Sequence, residues 1–465
     1  MKLNARLQAA VNGTTRRNYI SGIVNGALTQ LGMNLTHPSL VLSVFVRVLG
    51  GSNALVGSLS AIRFGGWFLP QFLVASWIQP QQRKVPVAVV MEVVRVAIYA
   101  TLGVLAYNLG HSRPRLLLGI FFALFILSRL AAGTGGLARM DAIGKVIPPS
   151  RRASFFALRS FWGGVAVFGA GFLVRYVLDE THGWPFPFNF TLLFALSATC
   201  FLAALLIFAQ IKEQPGPAGQ PHHSLKEQLT RAPTLLRGDP TFRRYVLVRV
   251  LLNMTRLSAP FYPIFALDVL KAPASMVGFY MSAMTLARIL SNLLWQRFDQ
   301  AKGTHLLIKT AALLTALEPL MAVALPWLMQ LTGFTVQRNG LLPAYLFTIV
   351  FVVAGSTQSG RGIGLMALLL DIAPDAERAS YIGLVNTVLG FVSLLSILAG
   401  AVIDRLGFRP IFFTASGLLL LGYMATLGWE VEARPYAALL RTPASGSSSR
   451  CDPSSPPGPA PRSDR

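Results

Sequence analysis

Acid is scarce in this chain: 18 Asp and Glu stand against 41 Lys and Arg in 465 residues, and charged residues make up only 13%. A soluble domain carries about 25% charged residues, so a largely water-exposed surface is excluded. Cysteine is nearly absent, with Cys200 in an apolar run and Cys451 in the tail, which rules out a disulfide framework. Of the six histidines only His222 and His223 adjoin, without the ligand spacing of a metal site. No Gly-x-x-x-x-Gly-Lys-[Ser/Thr] phosphate loop, Gly-x-Ser-x-Gly elbow or His-Glu-x-x-His pair occurs. ATP-driven work and the common hydrolase chemistries therefore lack their residues, and neither an enzyme nor a cofactor is expected. The basic excess, a formal charge of +23, is spread over many short connections instead of forming a patch, which argues against nucleic acid.

What the chain has instead is apolar length: 53% hydrophobic residues and a mean hydropathy of +0.55. Twelve runs, at about 18–48, 54–78, 86–109, 116–140, 154–178, 188–211, 243–270, 275–297, 305–331, 342–370, 379–403 and 409–430, fill most of it. A bilayer core about 30 Å thick needs roughly 20 apolar residues of helix. In lipid the backbone must satisfy its own N–H and C=O groups, so each run is expected to be helical. The predicted fold is all-α and polytopic, with lipid as a partner. The polar segment 212–242 divides the runs into two sixes, giving expected units 1–211 and 243–430. The Ser/Pro-rich tail 431–465 cannot bury a core and is expected to be disordered. Met1 to Tyr19 is polar and basic and leads into a run too long for a signal-peptide core, so that run is expected to be retained.

Loop charge sets the expected orientation. Connections on one side carry Arg16, Arg17, Arg83, Lys84, Arg151, Arg152, Arg243 and Arg244 among others; the other side carries Arg113, Arg115, Lys271, Arg338, Arg405 and Arg409. The asymmetry is about three to one, which places both termini and the central segment in the cytoplasm of a cell (inner) membrane protein.

The two sixes repeat each other. PSLVLSVFVRVLGGSNALVG (38–57) aligns with APFYPIFALDVLKAPASMVG (259–278), and IPPSRRASFFALRSFWGG (147–164) with IAPDAERASYIGLVNTVLG (372–390). The order is the same in both halves, as in parallel repeats about an axis along the membrane normal.

With these features the chain resembles the major facilitator superfamily over about residues 16–430. The family's Gly-x-x-x-Asp-Arg-x-Gly-Arg-Arg loop is degenerate here: ASWIQPQQRKVP keeps Arg83 and Lys84 but lacks the Asp and both Gly, and NLLWQRFDQAKG keeps Arg297 and Asp299. GAVIDRLGFRPIF matches a Gly-x-x-x-Asp-x-x-Gly-x-Arg junction of the family's outer side, and Pro148/Arg152 and Pro374/Arg378 match its cytoplasmic turns. The resemblance implies two pseudo-symmetric six-helix bundles moving a small solute by alternating access, with runs one, four, seven and ten lining the central cavity and two, five, eight and eleven at its sides. No characterised subfamily is recognised, so no substrate transfers. A monomer is expected.

Candidate site residues are the polar groups inside the runs. Gln30, Asn34 and His37 share helical spacing in run one; Asn253 and Arg256 precede Pro260 and Pro263 in run seven, where the prolines predict a local break. Arg63 and Trp67 lie in run two, Arg129 in run four, Arg288 and Asn292 in run eight, Gln358 and Arg361 in run ten. An intramembrane Arg costs about 2.5–3.5 kcal/mol on insertion scales, so it should face protein or water. Glu92 and Arg95, spaced i, i+3, are expected to pair, leaving the other arginines in excess. Such an excess favours an anionic solute held by bidentate contacts. The alternative use of these groups is interhelical hydrogen bonding or snorkelling to the interface. Asp141 and Glu318 are the candidates for coupling to protons. A sensor or scaffold of the same fold that no longer transports is the rival reading, favoured by the degenerate loop.

Overall fold

The structure, a computed structural model, describes residues 2–78, 81–211, 213, 236, 238–333, 340–374 and 378–429, with the backbone alone at 2–14, 67–78, 149–150, 153 and 378–380. The expected tail and most of the 212–242 segment lie outside the described residues. The described residues hold sixteen α-helices and no strand. The first half contains α1 (Lys2–Leu35), α2 (Val41–Val48), α3 (Asn53–Ile78), α4 (Val85–Leu109), α5 (Pro114–Val146), α6 (Pro149–Val177) and α7 (Phe188–Ala209). The second contains α8 (Pro240–Leu252), α9 (Tyr262–Val269), α10 (Met276–Lys302), α11 (Thr304–Leu331), α12 (Leu342–Leu346), α13 (Thr348–Ile372), α14 (Arg378–Ser393), α15 (Leu395–Leu406) and α16 (Phe408–Thr426).

Among the described residues, 9 helical stretches are long and apolar enough to cross a membrane. Their outer faces carry large apolar side chains that water would not tolerate, such as Phe391 at 67% and Leu398 at 63% exposure. The chain is a multi-pass, all-α membrane protein. Run seven is not among the nine because it is split into pieces of 13 and 8 residues, each shorter than a crossing.

Runs one and seven break in the same way. Pro38 lacks an N–H and disfavours helical geometry at His37, so α1 stops at Leu35 and the chain restarts at Val41. The expectation that His37 continues the Gln30–Asn34 helical face is therefore corrected: His37 sits in the break. Its carbonyl accepts the amides of Leu40, Val41 and Leu42, which caps α2. In run seven, two 3₁₀ turns, Asn253–Leu257 and Ala259–Phe261, separate α8 from α9. The short helices α2 and α9 have equal lengths and the same separation, 221 residues, at both ends. This is the separation of the sequence repeat.

Within the first half α4 packs on α5 and α7, α1 on α6 and α7, and α3 on α5; within the second, α10 packs on α13, and α11 on α13 and α16. Across the halves α3 meets α14 and α15, α6 meets α10, and α2 meets α9. These seams need missing side chains. A Cβ at Gly57 would overlap the Ser396 carbonyl, and one at Gly278 would overlap the backbone of Gly171 and Arg175. Gly57 and Gly278 are equivalent positions of the repeat, so one pattern supplies both close approaches.

The named polar contacts across the halves gather at one end. Arg47 on α2 pairs with Asp268 on α9 at 2.7 Å, again at equivalent repeat positions. Asp404 on α15 accepts the Asn53 amide (2.9 Å), the Asn53 side-chain amide (2.8 Å) and the Ala54 amide (3.1 Å). It thereby caps α3 from the other half, a role the Asp of the IDRLGFRP junction could not reveal from sequence. Arg175 donates to the Tyr345 hydroxyl at 2.8 Å, Ser396 to the Gly57 carbonyl at 2.8 Å, and Ser282 to the Phe168 carbonyl at 2.9 Å. At the opposite end the contacts stay local. Arg152 donates to the carbonyls of Gly144 and Ile147, closing the end of α5, which is the use of the Pro-x-x-x-Arg spacing. Glu213 accepts the amides of Lys84 and Val85 and caps α4.

Candidate functional site

The two breaks face a shared cluster of cations. Arg63, on α3, donates from Nη1 to His37 Nε2 at 3.0 Å. Arg256 lies in the first 3₁₀ turn of run seven, where residues i and i+3 eclipse, so its Nε reaches Asn253 Oδ1 at 3.0 Å. The Arg256 guanidinium stacks over the Phe64 ring of the other half, 3.5 Å from the centroid. A desolvated cation–π contact of this kind contributes about 2 kcal/mol. Arg288, on α10, makes no hydrogen bond or ion pair with another described side chain, and its charge acts on both His37 and Arg63. Three buried polar atoms in this cluster have no partner among the described residues: His37 Nδ1, Asn253 Nδ2 and Arg256 Nη1. Each such group costs about 1–3 kcal/mol if nothing meets it.

The acids within the crossings are committed elsewhere. Glu92 on α4 is bridged by Arg95 at 3.0 Å, as expected, and also by Arg139 at 2.6 Å. Glu318 on α11, 2% exposed, accepts the Thr357 hydroxyl from α13. The side chain points inward, where the Arg361 charge acts on it and where it faces the Tyr262 phenol.

The other candidates divide clearly. Gln30 packs beside Gly163 of α6, and its carbonyl accepts the Asn34 side chain at 2.8 Å. Arg129 turns into the first half, where it donates to the Tyr99 hydroxyl at 3.1 Å and lies 5.3 Å from the Phe125 ring centroid. Asn292 accepts Ser359 at 3.2 Å and ties α10 to α13. Gln358 is exposed on α13. The Trp67 side chain lies outside the described residues. The Arg361 guanidinium is turned inward instead of snorkelling to the interface, donating to the Leu252 carbonyl and to Thr357. The Leu252 carbonyl, at the junction of α8 with the 3₁₀ turn, is thereby tied to α13. Asp141 sits at the end of α5 beside Lys84 (3.8 Å) and Lys145 (3.9 Å), half exposed and away from the cluster. In the glycine-rich stretch of α13, Gly360 packs closely against Trp295 and Gly364 against Leu307 and Ile308.

Sequence reasoning missed three contributors. Phe64 was passed over as one more apolar residue. Arg159 and Arg249 lie near the ends of runs five and seven; Arg159 packs on Gly26, and the Arg249 charge acts on Arg256 and Arg361. The rule that singled out the other intramembrane arginines would have found both. A separate groove of about 520 Å³ between α4 and α7, lined by residues such as Val96, Gly103, Tyr107 and Leu202, is apolar and distant from this chemistry.

The Major Facilitator Superfamily sequence model matches residues 253–449. No curated protein matches the chain in sequence. Among solved structures, the nucleoside transporter NupG is similar at a TM-score of 0.69 and 14% identity, covering 88% of this chain and 98% of its own. A bacterial homologue of the iron transporter ferroportin in its inward-facing state gives 0.67 at 14% identity, covering 89% and 98%. A D-xylose–proton symporter gives 0.61 at 14% identity, covering 90% and 98%. At these identities the structures share the fold and say nothing of cargo. The sequence match over residues 253–449 and the fold shared over both halves make this chain similar to transporters of the Major Facilitator Superfamily.

Proposed function

We propose that this transporter moves a small anionic solute by alternating access, with protons as the coupling ion. Twelve crossings form two six-helix bundles, 1–211 and 243–430, joined by the cytoplasmic segment 212–242 and followed by the cytoplasmic tail 431–465. Both termini face the cytoplasm, and one chain suffices. The observation that carries the reading is the cation cluster: Arg63, Arg256 and Arg288 with His37, and unpartnered donors on Arg256 and Asn253. A carboxylate or phosphate fits this need, since it accepts several N–H bonds at once and supplies the missing negative charge. The solute would meet groups from both bundles, which is what a rocking mechanism requires of its cargo. Arg47–Asp268 and the Asp404 cap hold the bundles together on the outer side, in support of an inward-open state.

Thermal-shift screening of the purified protein against anionic and neutral metabolites tests this reading. One anionic class is expected to stabilise the wild type and to lose its effect in Arg256→Ala. An equal response in both proteins would remove Arg256 from the site. A sensor of the same fold would bind the anion without moving it, so flux into proteoliposomes separates the two readings.

A further inference from the structure

Glu318 is the one deeply buried carboxylate among the described residues that has no cation within ion-pairing distance. It accepts the Thr357 hydroxyl, and Arg361 lies one turn further along the same helix, α13. Arg361 donates to the Thr357 carbonyl, to the Leu252 carbonyl, and at 3.5 Å to the Thr255 hydroxyl. Leu252 precedes, and Thr255 lies within, the turn that presents Asn253 and Arg256 to the cation cluster. A continuous path thus runs from Glu318 through Arg361 to the turn that carries Arg256, and the Arg361 charge also acts on Arg256 directly.

We propose that Glu318 is the proton-binding site of this transporter, and that its protonation strengthens anion binding at Arg256 through Arg361. The proposal rests on the anionic reading of the cluster. While Glu318 is a carboxylate, its charge compensates Arg361. When it takes a proton from water, Arg361 becomes an uncompensated cation in a low-dielectric interior, and the potential at Arg256 rises. The anion then restores neutrality. Proton and anion favour each other by the same factor, because linkage is reciprocal, and together they cross as a charge-balanced load. The ionisable groups acting on Glu318 are Arg361 on α13 and the Tyr262 phenol at the start of α9. The packed face of α16 adds the neutral hydroxyl of Ser416, which donates to the Ala316 carbonyl.

Wild type, E318Q, E318D and R256Q are titrated with succinate, citrate, inorganic phosphate and glucose 6-phosphate at about pH 5.5 and about pH 8 by thermal shift. The responding anion is expected to bind wild type about tenfold tighter at the lower pH, equivalent to about 1.4 kcal/mol. E318Q, permanently neutral at that position, is expected to bind at the tighter affinity at both pH values. E318D, which keeps a titrating carboxyl, is expected to retain the pH difference. Persistence of the wild-type difference in E318Q would overturn the Glu318 assignment, leave the anionic reading intact and point to His37. Binding that survives in R256Q would remove Arg256 from the site and overturn the coupling through it, and no response to any of the four anions would overturn the anionic reading and the coupling with it. Infrared difference spectra across the same pH step, without ligand, read the carboxyl itself. A carboxylic-acid band present in wild type and missing in E318Q is expected, and its absence from wild type overturns the proposal whatever the anions do.

Discussion

The contacts that join the halves at one end predict how the conformational equilibrium responds to one substitution, Asp404→Ala. Asp404 belongs to α15 yet takes three N–H groups at the first turn of α3, in the other half. Removing a capping side chain costs about 0.5–2 kcal/mol. Asp404 is exposed, so solvent screens part of its charge, and about 1 kcal/mol is the appropriate figure. That cap exists only while the halves touch there, so its loss destabilises the state closed at that end and leaves the open one unaffected. The population open on that side should rise about fivefold. Adding Arg47→Ala removes the ion pair with Asp268 and a further fraction of about 1 kcal/mol. The assay is a distance distribution between spin labels at Ser112 and Thr332, both exposed on connections of different halves, with Cys200 and Cys451 replaced by serine. A longer-distance population should grow in Asp404→Ala and grow further in the double variant. Arg405→Ala, one residue along, serves as the control. Unchanged distributions in the double variant would refute the view that these contacts hold that end shut.

Gly57→Leu and Gly278→Leu place side chains where the partner backbone already lies, so each should lower the melting temperature by overpacking worth about 1–3 kcal/mol. Gly169→Ala, with open space around its Cβ position, should leave melting unchanged, and equal effects at all three would discount the seams. Glu92→Gln strands Arg95 and Arg139 in the interior without their acid, at a cost of about 3–5 kcal/mol. Detergent-solubilised melting should collapse in that variant, and near wild-type melting would mean that water already reaches the pair. Arg152→Ala removes two donors to the last carbonyls of α5, an exposed arrangement worth about 1 kcal/mol, readable as a small loss of melting temperature without loss of anion response.

The halves of this protein were readable from its residues where one local rule decides the outcome. Apolar length and the lipid's refusal of unpaired backbone fixed the helices, Pro260 and Pro263 announced the break in run seven, and the i, i+3 spacing of Glu92 and Arg95 announced their pair. The repeat of Gly57 in Gly278 was visible as well, although its purpose was not. Pro38 offered the same warning in run one, yet the polar spacing of Gln30, Asn34 and His37 imitates a continuous helical face, and the break at His37 emerged only in three dimensions.

Which arginine meets which group was decided by tertiary structure alone. Arg361, Arg129 and Arg256 look alike in a string of letters, each a cation inside an apolar run. Their fates diverge because a guanidinium on a long stem takes whichever acceptor the neighbouring helices bring within reach: the carbonyl of Leu252, a phenol on Tyr99, or the face of Phe64. Asp404 capping a helix in the opposite half and Glu318 turning inward to Thr357 follow from the same cause. Sequence specifies where charge enters the membrane; only the packing of distant helices specifies what neutralises it.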